Sequence, residues 1–147
     1  MESVKELKRE DVKLIVFGSV VDRLKEKVQS LADGEKIQYI GWQNAEDSYR
    51  LFATANLAVF PGRHSVYWEQ VAGQGIPMIV KDWEGTHHVD LGGNVIFLHD
   101  DSKLEIYTVL KRLLYDQNLY DSMKKIAETE GPQIFSYGRI ARRSIEE

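Results

Sequence analysis

Short apolar runs of strand length alternate along the chain with longer stretches in which apolar residues recur at helical spacing. The runs VKLIVFG (12–18), IQYIG (37–41), LAVFP (57–61), PMIVKD (77–82) and VIFLHD (95–100) are rich in Val, Ile and Phe, and each closes on Gly, Pro or Asp. That is the pattern of strands bounded by turn residues. Several runs are apolar on both faces, as strands of a parallel sheet covered by helices on either side must be.

Helix signals fill the intervals. Asn44 followed by Asp47 reads as a helix start, after which Tyr49, Phe52, Ala53 and Asn56 share one face. Ser102 with Glu105 forms a capping box, and Leu104, Tyr107, Leu110 and Leu114 make the expected inward stripe of the helix it opens. A further helix runs through Leu119, Met123, Ile126 and Ala127 and is expected to stop at Gly131 and Pro132. The segment FSYGRIARRSIEE (135–147) reads as a terminal helix, docking on a neighbouring domain. Strand–helix alternation of this kind predicts an α/β fold: a Rossmann-like doubly wound parallel sheet flanked by helices, with residues 1–147 as one domain. The chain opens on a charged helical tail, residues 2–9, with no phosphate-binding turn before its first strand, so it reads as the later part of a larger protein.

Composition narrows the partners. The 147 residues carry 19 basic and 23 acidic side chains, a net charge of −4, with no local Lys/Arg run. This disfavours nucleic acid and anionic membranes as partners. Cysteine is absent, which removes disulfide and thiolate chemistry and fits a reducing, cytoplasmic setting. The first ten residues lack the apolar core of a signal peptide, and no apolar run approaches membrane-spanning length.

In an open parallel sheet, ligands bind beyond the carboxyl ends of the strands. The polar candidates fall at those ends: Gly18 and Ser19, Gly41 to Asn44 with Trp42 and Gln43, Pro61 to Ser65 with Arg63, Lys81 to His88, and His99 to Asp101. The stretch FPGRHSVYWEQVAGQGIP (60–77) is the richest. With Ser65 or His64 as N-cap, the amides of Ser65 and Val66 would offer an anion site. Glu69 would lean back into the same pocket, because helical side chains point towards the N-terminus. An acid beside a phosphate would repel it, so Glu69 fits neutral hydroxyls such as a ribose diol. The plainer alternatives are that Glu69 caps its own helix or pairs with Arg63, and that Trp42 packs as an apolar lid.

Six segments in register carry a resemblance: VKLIVFGS, IQYIGW, SYRLFATANLAVFPG, WEQVAGQGIPMIVKDWEG, LGGNVIFL and FSYGRIA. They resemble the C-terminal, nucleotide-sugar-binding domain of retaining group 1 glycosyltransferases of the GT-B fold, from about residue 4 onwards. The resemblance implies one half of a GT-B enzyme, transferring a hexose from a nucleotide-diphosphate sugar to a glycan or lipid-linked acceptor held by a separate N-terminal domain. It implies membrane association, if any, through that domain, and no metal or other cofactor. It places Glu69 on the ribose, and Trp42 and Gln43 at the base with Gly18 and Ser19 lining the same cleft. Glu69 matches the second acid of the family's E-x7-E pair; the first, which contacts the transferred sugar, precedes it by eight residues, and here that position falls on Pro61. The loop is therefore shortened, and His64 or Arg63 is expected to take that place against sugar or phosphate, with His64 the catalytic candidate. The family's diphosphate-binding cations lie upstream of residue 1, leaving Arg63 or Lys81 to substitute. His88 stands where the family keeps an acid.

Competing chemistries are thin. His64, His87, His88 and Asp90 make a poor metal set from sequence, since adjacent histidines cannot share one strand face. No G-x-S-x-G elbow is present, and GSVVDR after the first strand lacks the glycines of a dinucleotide turn. Two other function classes stay open: a non-catalytic nucleotide-sugar-binding module and a GT-B-like nucleotide-sugar epimerase.

Overall fold

In the computed structural model, which describes residues 1–146, alternate residues of strand β4 (Met78–Lys81) enter opposite hydrophobic layers. Met78 and Val80 join Ala58, Val95, Phe52, Trp68, Val71, Ala72 and Val89 on one side. Ile79 joins Ile37, Leu98, Val4, Leu7, Leu110, Leu113 and Met123 on the other. A period of two along the strand thus feeds a core on each face, which is why the strand is apolar throughout. Complete burial of Ile79 or Leu98 contributes about 1.5–3 kcal/mol each.

The elements follow in the order α1 (Glu2–Glu6), β1 (Leu14–Val16), α2 (Asp22–Leu31), β2 (Ile37–Tyr39), α3 (Ala45–Ala53), β3 (Ala58–Phe60), α4 (Tyr67–Gly73) and β4. A 3₁₀ turn (His87–Val89), β5 (Val95–Leu98), α5 (Lys103–Tyr115), α6 (Gln117–Phe135) and α7 (Tyr137–Glu146) complete the chain. The last residue of the expected terminal helix, Glu147, lies outside the described residues. All strand pairs are parallel, in two ladders, β1–β2 and β3–β4–β5. The expected single sheet is therefore held together by packing where hydrogen bonds do not bridge it. Ile37 of β2 shares a cluster with Ile79 and Leu98, and Phe17 lies 5.4 Å from Phe52.

The helix starts read from sequence hold locally. Asn44 Oδ1 accepts from the Asp47 amide at 2.9 Å, and Ser102 Oγ accepts from the Glu105 amide at 3.0 Å. Glu105 does not close the capping box on Ser102. Its carboxylate instead accepts from the amides of His99, Asp100 and Asp101, pinning the end of β5.

Three expectations need correction. On α3 the buried residues are Ser48 and Phe52, while Tyr49 and Ala53 are exposed and Asn56 lies past the helix end. On α5, Leu104 is 71% exposed and Leu113 takes the buried place. The third concerns α6, which runs straight through Gly131 and Pro132 to Phe135. Its glycine serves a helix crossing: a Cβ on Gly131 would stand 1.9 Å from the Ala72 carbonyl oxygen of α4. Close approach of two backbones outweighs the lost proline N–H.

Candidate functional site

Strands are parallel within each ladder, so the carboxyl ends of a ladder lie on one side, its rim: Gly18, Ser19, Trp42 and Gln43 follow β1 and β2, while Arg63 to Ser65, Glu69, Lys81 and His88 follow β3 and β4. Gly18, at the end of β1, adopts φ +117°, a backbone region that favours glycine. Its amide donates to the Gly41 carbonyl at 2.9 Å, and its own carbonyl accepts from the Tyr39 hydroxyl at 2.8 Å. Ser19 beside it is exposed. Trp42, beyond β2, is 70% exposed, so it is not the packed lid that sequence left as an alternative. The Gln43 side-chain amide donates back to the Ile40 carbonyl at 2.9 Å, which holds this turn closed.

The loop after β3 leads into α4, whose N-cap is Val66 rather than Ser65 or His64, and no side chain caps it. Ser65 contributes its carbonyl, which accepts from the Trp68 amide at 3.0 Å. Trp68 is fully buried and anchors the helix in the core. Arg63 is exposed on this loop.

Glu69 is the convergence point. Its Oε1 accepts from His64 Nε2 at 2.8 Å and from His88 Nε2 at 2.7 Å. The carboxylate pairs with two histidines and not with Arg63, since the imidazoles reach it from the loop before α4 and from the 3₁₀ turn after β4. Its Oε2 is buried with no hydrogen-bond partner among the described residues. Burial is the largest influence on Glu69 and pushes its pKa up. Hydrogen bonds from His88, its own amide and His64 outweigh that and leave the group below its ordinary value. The rings are positioned by neighbours: His64 stands edge-on to Trp68 at 4.9 Å, and His88 lies 6.2 Å from Phe135.

A second carboxylate on the rim repeats the motif. Asp82 accepts from His87 Nε2 at 2.6 Å and lies 3.3 Å from His99 Nδ1. The His87 hydrogen bond is the main cause of its lowered pKa. All four histidines of the chain thus stand against two acids. Lys81, also at the end of β4, donates to the His99 carbonyl at 2.6 Å and lies 3.5 Å from Asp101. Its ammonium is engaged within the rim. The Trp83 indole donates to the Gly62 carbonyl at 3.1 Å, tying the loop after β4 to the loop after β3.

His88 is the residue whose partnership sequence reasoning missed. The 3₁₀ turn sends adjacent histidines to different acids, His87 to Asp82 and His88 to Glu69. Sequence marked the position by its place among the strand-end polar residues and where the family keeps an acid, but not its partner.

Residues 1–130 match the family model described as glycosyl transferases group 1. No curated protein sequence matches the chain. Among solved structures, it is similar to sucrose-phosphate synthase from Thermosynechococcus elongatus (TM-score 0.70, 16% identity, covering 91% of this chain and 37% of that one). It is also similar to HepE of Anabaena in complex with UDP and glucose (TM-score 0.72, 15% identity, 99% and 42% covered). A third similar structure is described as a UDP-N-acetylglucosamine 2-epimerase from Listeria monocytogenes (TM-score 0.76, 22% identity, 98% and 36% covered). The chain therefore spans well under half of each of these proteins.

Proposed function

Because the chain belongs to the group 1 glycosyl transferases, we propose that it is the donor-binding half of a retaining enzyme using a nucleotide-diphosphate sugar. The observation that carries this reading is Glu69, set on the strand-end rim by the helix that follows β3. A solved GT-B relative holds UDP and glucose, which supports a nucleotide sugar as ligand. Glu69 grips the ribose hydroxyls, with His64 or His88 turning away from Oε1 to admit them. Trp42 and Gln43 serve the base, with Gly18 and Ser19 allowing close approach. The Ser65 and Val66 amides, with Arg63, face the diphosphate. Lys81 acts there only by leaving the His99 carbonyl. His64 is the candidate for contact with the transferred hexose.

The chemistry asks little covalent work of the protein. Front-side attack with the leaving diphosphate assisting requires placement and stabilisation of charge, and the transfer needs no cofactor. The acceptor, a glycan or lipid-linked sugar, sits on a partner domain across the cleft, and the setting is cytoplasmic. Among the described residues no helix is long and apolar enough to cross a membrane. By itself this chain binds donor weakly and transfers nothing; robust transfer by the chain alone would overturn the division of labour.

The test is calorimetric titration with UDP, GDP, dTDP and CMP sugars, beside Glu69→Ala. One base class should bind, and the alanine variant should lose at least about tenfold in affinity, the loss expected for a charge-assisted hydrogen-bond pair. Absence of binding by every nucleotide, or unchanged affinity in the variant, would sink the reading.

A second reading, a nucleotide-sugar epimerase, is favoured by one feature: two imidazoles and a carboxylate in mutual contact form an acid–base set. Product analysis with a nucleotide sugar and no acceptor separates the two.

A further inference from the structure

The histidines against Glu69 do more than orient it. His64 Nε2, Glu69 Oε1 and His88 Nε2 come from a loop, a helix and a 3₁₀ turn, and all three atoms lie within 4.8 Å of one another. Each imidazole nitrogen already points at the same oxygen, at 2.8 and 2.7 Å. We propose that this triad binds a divalent transition-metal cation of the Zn²⁺, Co²⁺ or Ni²⁺ class.

The three ligand atoms must open to admit an ion. Ligand distances to Zn²⁺ run about 2.0–2.2 Å for imidazole nitrogen and carboxylate oxygen. An ion seated between the three atoms replaces the two N–H···O contacts, and each imidazole nitrogen must open from 2.8 and 2.7 Å to about 3.3 Å from Oε1, the spacing of ligands around a tetrahedral ion. In the bound state each imidazole coordinates through a proton-free Nε2 and carries its one proton on Nδ1. Two nitrogens and one oxygen suit borderline cations, whereas Mg²⁺ and Ca²⁺ ask for oxygen throughout. The rings are held in place before an ion arrives, His64 by Trp68 and His88 by Phe135. The side chains of His64 and His88 are 35% and 45% exposed, so water or a ligand oxygen completes the coordination sphere, as in open zinc sites.

The second histidine pair makes an internal contrast. His87 and His99 approach different oxygens of Asp82, at 2.6 and 3.3 Å, and do not converge on one point. The cation is therefore assigned to Glu69 and not to Asp82. The ion takes the same Oε1 and imidazoles that the donor reading gives to ribose and hexose, so cation and donor compete for this site. The transfer chemistry does not require the ion, and the cation test uses no nucleotide, so its failure is distinguishable from failure of donor binding.

The experiment is a Zn²⁺ titration of the chain against a chromophoric chelator, with Co²⁺ substitution followed by visible absorption. A single cation should bind per chain, with Co²⁺ bands of a four- or five-coordinate site. His64→Ala and His88→Ala should each weaken binding by at least about tenfold, the lower bound set by losses seen even for outer-shell partners. His99→Ala should leave binding unchanged. Saturating Zn²⁺ should raise the melting temperature of the wild type but not of the Glu69→Gln variant, which keeps the side-chain shape. Wild-type binding no tighter than about 1 mM, a weak affinity of roughly −4 kcal/mol, would overturn the proposal. So would a loss in His99→Ala equal to that in His64→Ala.

Discussion

Gly131 of α6 crosses Ala72 of α4 so closely that a Cβ on the glycine would lie 1.9 Å from the alanine carbonyl oxygen. The obstacle is backbone, which a rotamer change cannot relieve. Gly131→Ala should destabilise the fold by roughly 3 kcal/mol or more, at or above the upper end for overpacking. Urea unfolding followed by circular dichroism measures this. Gly138→Ala is the control, because nothing lies within 4 Å of a Cβ there. That change should be neutral or stabilise by up to about 1 kcal/mol through helix propensity.

Leu104 and Leu113 sit on the same helix with opposite fates, 71% and 5% exposed. Leu113→Ala should cost about 2–5 kcal/mol through lost burial and the cavity left behind. Leu104→Ala should stay within about 0.5 kcal/mol of wild type. Similar losses from both variants would show that the inward stripe has been drawn on the wrong face.

The Ser48 hydroxyl is fully buried and lies 3.2 Å from the Tyr67 hydroxyl, joining α3 to α4 beneath the rim. Removing either partner leaves the other without this contact. Tyr67→Phe and Ser48→Ala should each cost about 1–2 kcal/mol, and the double variant less than their sum. A thermodynamic cycle from denaturant melts reads the coupling, and strict additivity would mean that the contact contributes nothing.

Asp33 predicts an acid-sensitive turn between α2 and β2. Its Oδ1 accepts from the amides of Glu35, Lys36 and Ile37, and these bonds, the Ile37 amide first, hold its pKa below the ordinary value. A carboxyl lowered in the folded state contributes stability that is present above its unfolded pKa, about 3.9. That contribution is lost as pH falls through the folded value. Asp33→Ala should therefore be destabilised by a constant amount above about pH 5, and the gap should close in more acid solution. Stability measured from pH 7 down to pH 3 checks this, and a gap that widens towards acid would contradict it.

The strands were readable because parallel pairing covers both faces, which writes apolar residues without interruption from Met78 to Val80 and from Val95 to Leu98. The caps at Asn44 and Ser102 were readable because each spans three residues and answers to local geometry. Pro132 misled because a glycine–proline pair normally ends a helix, and the reason it does not lies on α4, far away in sequence. Glu69 was legible from its place after a strand. His88 was not, because its partnership depends on how a 3₁₀ turn splits two neighbouring histidines. The same dependence on turn geometry hid the pair at Asp82.

Trp68 is fully buried, its indole N–H has no hydrogen-bond partner among the described residues, and the His64 ring stands edge-on to it with 4.9 Å between ring centroids. A dry indole emits at the blue edge of tryptophan fluorescence, while Trp42 and Trp83, at 70% and 42% exposed, emit further to the red. The blue component therefore belongs to the one indole that touches His64. Anything that protonates, turns or captures that imidazole changes how it quenches its neighbour. The domain carries its own optical reporter, already in place beside Glu69.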